Sequence, residues 1–182
     1  ARYVASPSGY HEEGHGTGEP PPPPALLADT LRQALAKDGY LPAEPGKPPS
    51  LLILYVWGSH YPPDPLDDTA GGAFPDAGHK NLLSRASLVG GNRFAGELRT
   101  ALNRKDAMVG VTQMPLLDPL QVFIARDPKI RQLVEQSKNA CYYVVVSAYD
   151  YAAGARGKRV LLWRSKMTAD AQGVAMAETL PA

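Results

Sequence analysis

A chain of 182 residues, 44% of them hydrophobic, is long enough to bury a core and suits one domain or one domain with a tail. Its 19 basic and 18 acidic side chains leave a formal charge of +1 without a dense Lys/Arg block, which argues against nucleic acid as a partner. The longest apolar run, Leu51 to Trp57, is far too short to cross a bilayer, so no transmembrane segment is expected.

The chain opens with a candidate short strand at Arg2 to Ala5, ended by Pro7, Ser8 and Gly9. Residues 9–24 read as loop, and the prolines at 20–24 as a stiff polyproline spacer. Residues 1–24 thus form a Gly/Pro-rich arm, and residues 25–182 a single α/β domain. Ala25 to Asp38 has Leu27, Leu31 and Leu35 at four-residue spacing, with proline before it and Gly39 after it, which predicts a helix with one apolar face. Leu51 to Trp57 is apolar on both faces and predicts a central strand. Residues 58–78, rich in Pro, Asp, Gly and aromatics, predict a long connection, a kind that is usually functional. Residues 80–105 predict helix broken at Gly90-Gly91, with Asn92 as a cap for the second piece. Asp118-Pro119 and Asp127-Pro128 read as N-cap followed by first helical residue, and the helix after Pro128 places Ile130, Leu133, Val134 and Ser137 on one side. Cys141 to Tyr151 is rich in β-branched and aromatic residues, and Ala152 to Lys158 is a Gly-containing turn into a return strand, Arg159 to Thr168. The fold class predicted is α/β (α+β): a mixed β-sheet with helices packed on it, ending in a β-hairpin.

Two places suggest chemistry. The string His11-Glu12-Glu13-Gly14-His15 satisfies H-E-x-x-H, in which two histidines bind zinc and the first glutamate acts as base. The metal candidates are therefore His11 and His15, with Glu12 as base. The pattern demands a helix, yet Pro7 and Gly9 lie upstream and Gly14, Gly16 and Gly18 within, each interior glycine costing on the order of 1 kcal/mol. Neither His60 nor His79 stands at a spacing that nominates it as third ligand. The second place is the connection after the central strand, where open α/β sheets gather ligands. Trp57, His60 and Tyr61 are the ligand-binding candidates there, against the plainer reading that the aromatics cap the core. There is no phosphate loop and no G-x-S-x-G, and Cys141, the only cysteine, reads as a small buried hydrophobe. No catalytic residue is named and no cofactor is expected.

Three segments, "LLADTLRQALAKDGYLPAEPGKPPSLLILY", "YYVVVSAYDY" and "GKRVLLWRSKMTA", together resemble the bacterial DUF4136-like envelope lipoprotein domains. Lys158 to Ser165, with Trp163-Arg164 at its centre, stands where those domains carry a "kLvWrg"-type strand. Residues 58–125 depart from the pattern, and no anchoring cysteine stands near Ala1. The resemblance implies a periplasmic or outer-membrane-associated domain without established catalytic residues, with a lipid anchor upstream of the chain; a lone cysteine equally fits the cytoplasm. The resulting expectation is an uncharacterised, non-enzymatic envelope domain that binds a protein, glycan or small molecule through residues 58–79 or a sheet edge. The alternatives are a zinc-dependent hydrolase using His11, Glu12 and His15, and an assembly subunit docking through its Pro-rich N-terminus.

Overall fold

The fold is taken from a computed structural model, which describes residues 1–14, 20–62, 75–108 and 118–180. The elements in chain order are β1 (Arg2–Glu13), α1 (Pro24–Lys37), β2 (Leu41–Pro42), β3 (Leu51–His60), α2 (Pro75–Met108), α3 (Pro119–Ala125), α4 (Pro128–Lys138), β4 (Cys141–Asp150), α5 (Tyr151–Ala155), β5 (Leu161–Asp170) and α6 (Met176–Thr179). They form two compact units, one of Ala1–Ser59 with Tyr142–Ala182, the other of His60–Cys141.

The first unit is built on a five-stranded sheet of order β2-β1-β3-β4-β5. β1 and β2 are parallel, with Arg2 opposite Leu41. β3 runs parallel to β1, since Ser50 N–H donates to Arg2 O near one end and the Tyr10 and Ser59 hydroxyls meet at 2.9 Å near the other. β4 is antiparallel to β3, since Tyr151 N–H reaches Ser50 O while the Tyr143 hydroxyl lies beside Gly58. β5 is antiparallel to β4: Asp150 N–H bonds Val160 O, and Arg164 Nε donates to Ser147 Oγ at 2.9 Å. The mixed sheet with helices on it is the predicted fold class. α1 buries Leu27, Leu31 and Leu35, the three residues its spacing singled out, at roughly 1.5–3 kcal/mol each.

Two strands run well past their expected ends. β1 runs on to Glu13 through Pro7, Ser8 and Gly9 rather than stopping at Ala5. β2 covers only Arg2 and Tyr3 of β1, so the proline's missing N–H interrupts no ladder on that side, and Gly9 takes up a positive φ of 104° that other residues resist. β3 ends at His60 rather than Trp57. A Cβ on Gly58 would stand 1.8 Å from His11 O, so the glycine that looked like a strand terminator is the residue that admits β1 against β3. The last turn opens with the short helix α5, capped by Asp150, whose carboxylate accepts from Ala153 N–H at 2.6 Å.

The second unit packs α2, α3 and α4 around Phe94, Leu98, Leu102, Phe123 and Val134. α2 begins earlier than predicted, at Pro75, and is interrupted where expected: Gly91 adopts φ 80°, ψ 173°, a conformation other residues rarely reach. The Phe94 and Phe123 rings lie 6.3 Å apart across α2 and α3. Asp118 and Asp127 cap α3 and α4 as their Asp-Pro pairs indicated, accepting from Leu120 N–H and Lys129 N–H. Replacing Asp127 with alanine is expected to remove about 1 kcal/mol, measured as a lower urea midpoint with unchanged slope; an unchanged midpoint would mean the cap contributes nothing.

Candidate functional site

The zinc string does not lie on a helix where it is described. His11, Glu12 and Glu13 are the last residues of β1, and all three are exposed. In a strand, neighbours point to opposite faces, so His11 and Glu12 diverge, whereas the pattern needs them on one turn of helix. His15 lies outside the described residues. Among the described residues no three His, Cys, Asp or Glu side chains converge as a metal site would require.

Trp57 and His60 lie near the end of β3 and Tyr61 directly follows it, and all three are buried. Trp57 stacks on Tyr55 with ring centroids 5.9 Å apart, both being core residues of the first unit. Its indole N–H finds no acceptor among the described residues. Residues 63–74 of the connection lie outside the described residues. Trp57 belongs to the first unit, whereas His60 and Tyr61 begin the second.

His60 and Tyr61 instead serve a residue that sequence reasoning missed. Arg85, on α2, is 3% exposed. Its Nε–H donates to Ser137 O at 2.6 Å, and Nη1 donates to Tyr61 O and to His60 Nδ1, each at 3.3 Å, and to Asn81 Oδ1. A guanidinium offers no acceptor, so His60 Nδ1 is the unprotonated ring nitrogen here and the ring proton sits on Nε2. Ser137 lies in the last turn of α4, where carbonyls lack helical partners and the helix dipole favours a cation. Burial pulls the Arg85 guanidinium below its ordinary pKa, and nearby Cys141, itself buried, opposes that shift. Among the described residues no carboxylate pairs with Arg85; every partner named is a neutral acceptor. The arrangement fastens β3's end, α2 and α4's end to one another and presents no accessible nucleophile. Its sequence signal is an arginine in the apolar stripe of α2, three residues after Leu82 and next to the buried Ala86.

Concave surfaces occur in both units. In the second unit a broad cleft of about 650 Å³ lies along α2, lined by His79, Lys80, Ser84, Asn92 and Arg99 among others. His79 Nδ1 stands 3.5 Å from an Asp106 carboxylate oxygen. In the first unit a crevice of about 270 Å³ is lined by Leu27, Leu31, Tyr142, Met167 and Met176. The Thr30, Tyr142 and Thr179 hydroxyls around it are donated to the carbonyls of Leu26, Val174 and Met176, so their protons are already engaged.

The most exposed apolar surface is the outer strand. β5 ends the sheet, with β4 on one side and no strand on the other among the described residues. Val160, Leu161, Leu162 and Met167 are 43–50% exposed. Trp163 is half-buried, its ring 5.8 Å from Tyr40. No helix of the described residues is long and apolar enough to cross a membrane. Compared with known proteins, the chain matches no family model and no curated sequence.

Proposed function

We propose that the chain is a non-enzymatic, envelope-associated binding domain that takes an extended segment of a partner protein onto the outer edge of β5. The envelope setting rests on the DUF4136-like segments; the docking mode rests on β5. A ten-residue strand with one neighbour among the described residues leaves a row of N–H and C=O groups for another chain. Added strands draw affinity from those main-chain bonds and specificity from alternate side chains, for which half-exposed Leu161, Leu162 and Met167 supply apolar contact.

The test uses a soluble octapeptide of alternating Val and Thr as probe. Added in excess to the full chain, it is expected to slow amide hydrogen exchange across Leu161–Asp170 while leaving α2 unchanged. Exchange in β5 that no extended peptide slows, with the sheet intact, would rule the docking mode out.

A further inference from the structure

We infer that the segment docked on β5 is acidic, an extended polypeptide alternating Asp or Glu with apolar residues. This deepens the edge-docking reading and rests on it. Five of the chain's 19 basic residues, Arg156, Lys158, Arg159, Arg164 and Lys166, fall between residues 156 and 166, and no acidic residue lies among them. Three of them stand within Arg156–Arg159, and Val160 to Trp163 separate these from Arg164 and Lys166, while the whole chain carries only +1. Folding gathers them on β5 and the turn that leads into it.

Ion pairs form elsewhere in the described chain, yet none uses Arg156, Lys158, Arg159 or Arg164. Arg164 is instead held by hydroxyls, donating to Ser147 Oγ at 2.9 Å and to Tyr149 OH at 3.4 Å. Neither hydroxyl neutralises it. Lys166 has its pKa lowered first by partial burial and then by the Arg164 charge beside it. Alternate residues of a strand stand about 7 Å apart on one face, and the same spacing separates alternate carboxylates in an added strand. Acidic side chains there would face Arg164 and Lys166 as opposite-charge cross-strand pairs, the favourable arrangement.

The same charges argue against other occupants. A second copy pairing through β5 would bring Arg164 and Lys166 against their own counterparts, and like charges across strands repel. An anionic membrane would meet the basic and apolar side chains but leave the strand's backbone groups without partners. Single-stranded nucleic acid uses exposed aromatic rings for stacking, and the aromatic of this strand, Trp163, already packs on Tyr40.

The experiment titrates the full chain with fluorescein-labelled octapeptides, alternating Val-Glu and alternating Val-Thr, followed by anisotropy and by hydrogen exchange. The acidic peptide is expected to bind at least tenfold tighter at low salt and to protect β5, the preference closing as salt screens it. The Arg164→Gln/Lys166→Gln variant is expected to bind both peptides equally, at the Val-Thr level. Equal binding of the two peptides by the unaltered chain would overturn the acidic preference and leave edge docking intact. Protection of β5 by neither peptide would overturn both. Tighter binding of an oligothymidine or of phosphatidylglycerol vesicles, undisplaced by the acidic peptide, would assign the basic strip to that ligand and overturn the inference.

Discussion

Replacing Arg85 with methionine is expected to destabilise the second unit by about 3 kcal/mol or more. Methionine fills similar space and carries no donor, so Ser137 O, Tyr61 O, Asn81 Oδ1 and His60 Nδ1 each lose the donor they now have. A buried acceptor left without its partner costs roughly 1–3 kcal/mol. Removing the guanidinium also relieves its own desolvation, which is why the losses do not simply add. Arg85→Lys is expected to lose nearly as much, because one ammonium cannot reproduce a planar fork that serves separated acceptors. Urea unfolding followed by Trp and Tyr fluorescence reads the effect. A methionine variant as stable as the parent would mean that the cluster holds nothing together.

Gly58→Ala is expected to be the most damaging single-methyl addition in the first unit. The new Cβ would stand 1.8 Å from His11 O and 2.9 Å from the Tyr143 hydroxyl, and the first of these is backbone that cannot rotate away. Overpacking in a filled site costs typically 1–3 kcal/mol, and a backbone obstacle belongs at the upper end or beyond. At about 2–4 °C per kcal/mol for a chain of this size, Tm falls by roughly 5–10 °C. Gly96→Ala is the control, since Gly96 lies within α2 with nothing within 4 Å of the added methyl. That change is expected to raise stability by about 0.5–1 kcal/mol, the helical preference of alanine over glycine. If the two variants melt alike, β1 and β3 do not approach as described.

What the sequence disclosed was local. The leucines of α1 repeat once per turn, the Asp-Pro pairs put a cap and a pre-formed φ side by side, and Gly91 breaks α2 by its own conformation. Each signal lies within a few residues of its effect. The strand ends were illegible for the opposite reason. Pro7 is tolerable because β2 stops at Pro42, and Gly58 belongs to a strand because a backbone from residue 11 passes over it. Read without those neighbours, both looked like terminators. Arg85 was hidden more deeply, as its partners lie up to 52 positions away and two of them are carbonyls, which every residue carries. The zinc string shows the converse error, a correct spelling on the wrong backbone: three of its residues are strand, and the pattern has meaning only on a helix. β5 was legible as a strand, while its place at the sheet's edge depended on where β2 and β1 lay.

The Arg85 contacts also bear on how the chain is assembled from parts. β3 and β4 are antiparallel neighbours, a pair that in simpler proteins is joined by a turn of a few residues. Here the chain leaves β3 at His60, builds α2, α3 and α4 among the described residues, and returns to β4 at Cys141. Arg85 binds the outgoing residues His60 and Tyr61 and the returning residue Ser137 at once, fastening the neck of the inserted segment from within.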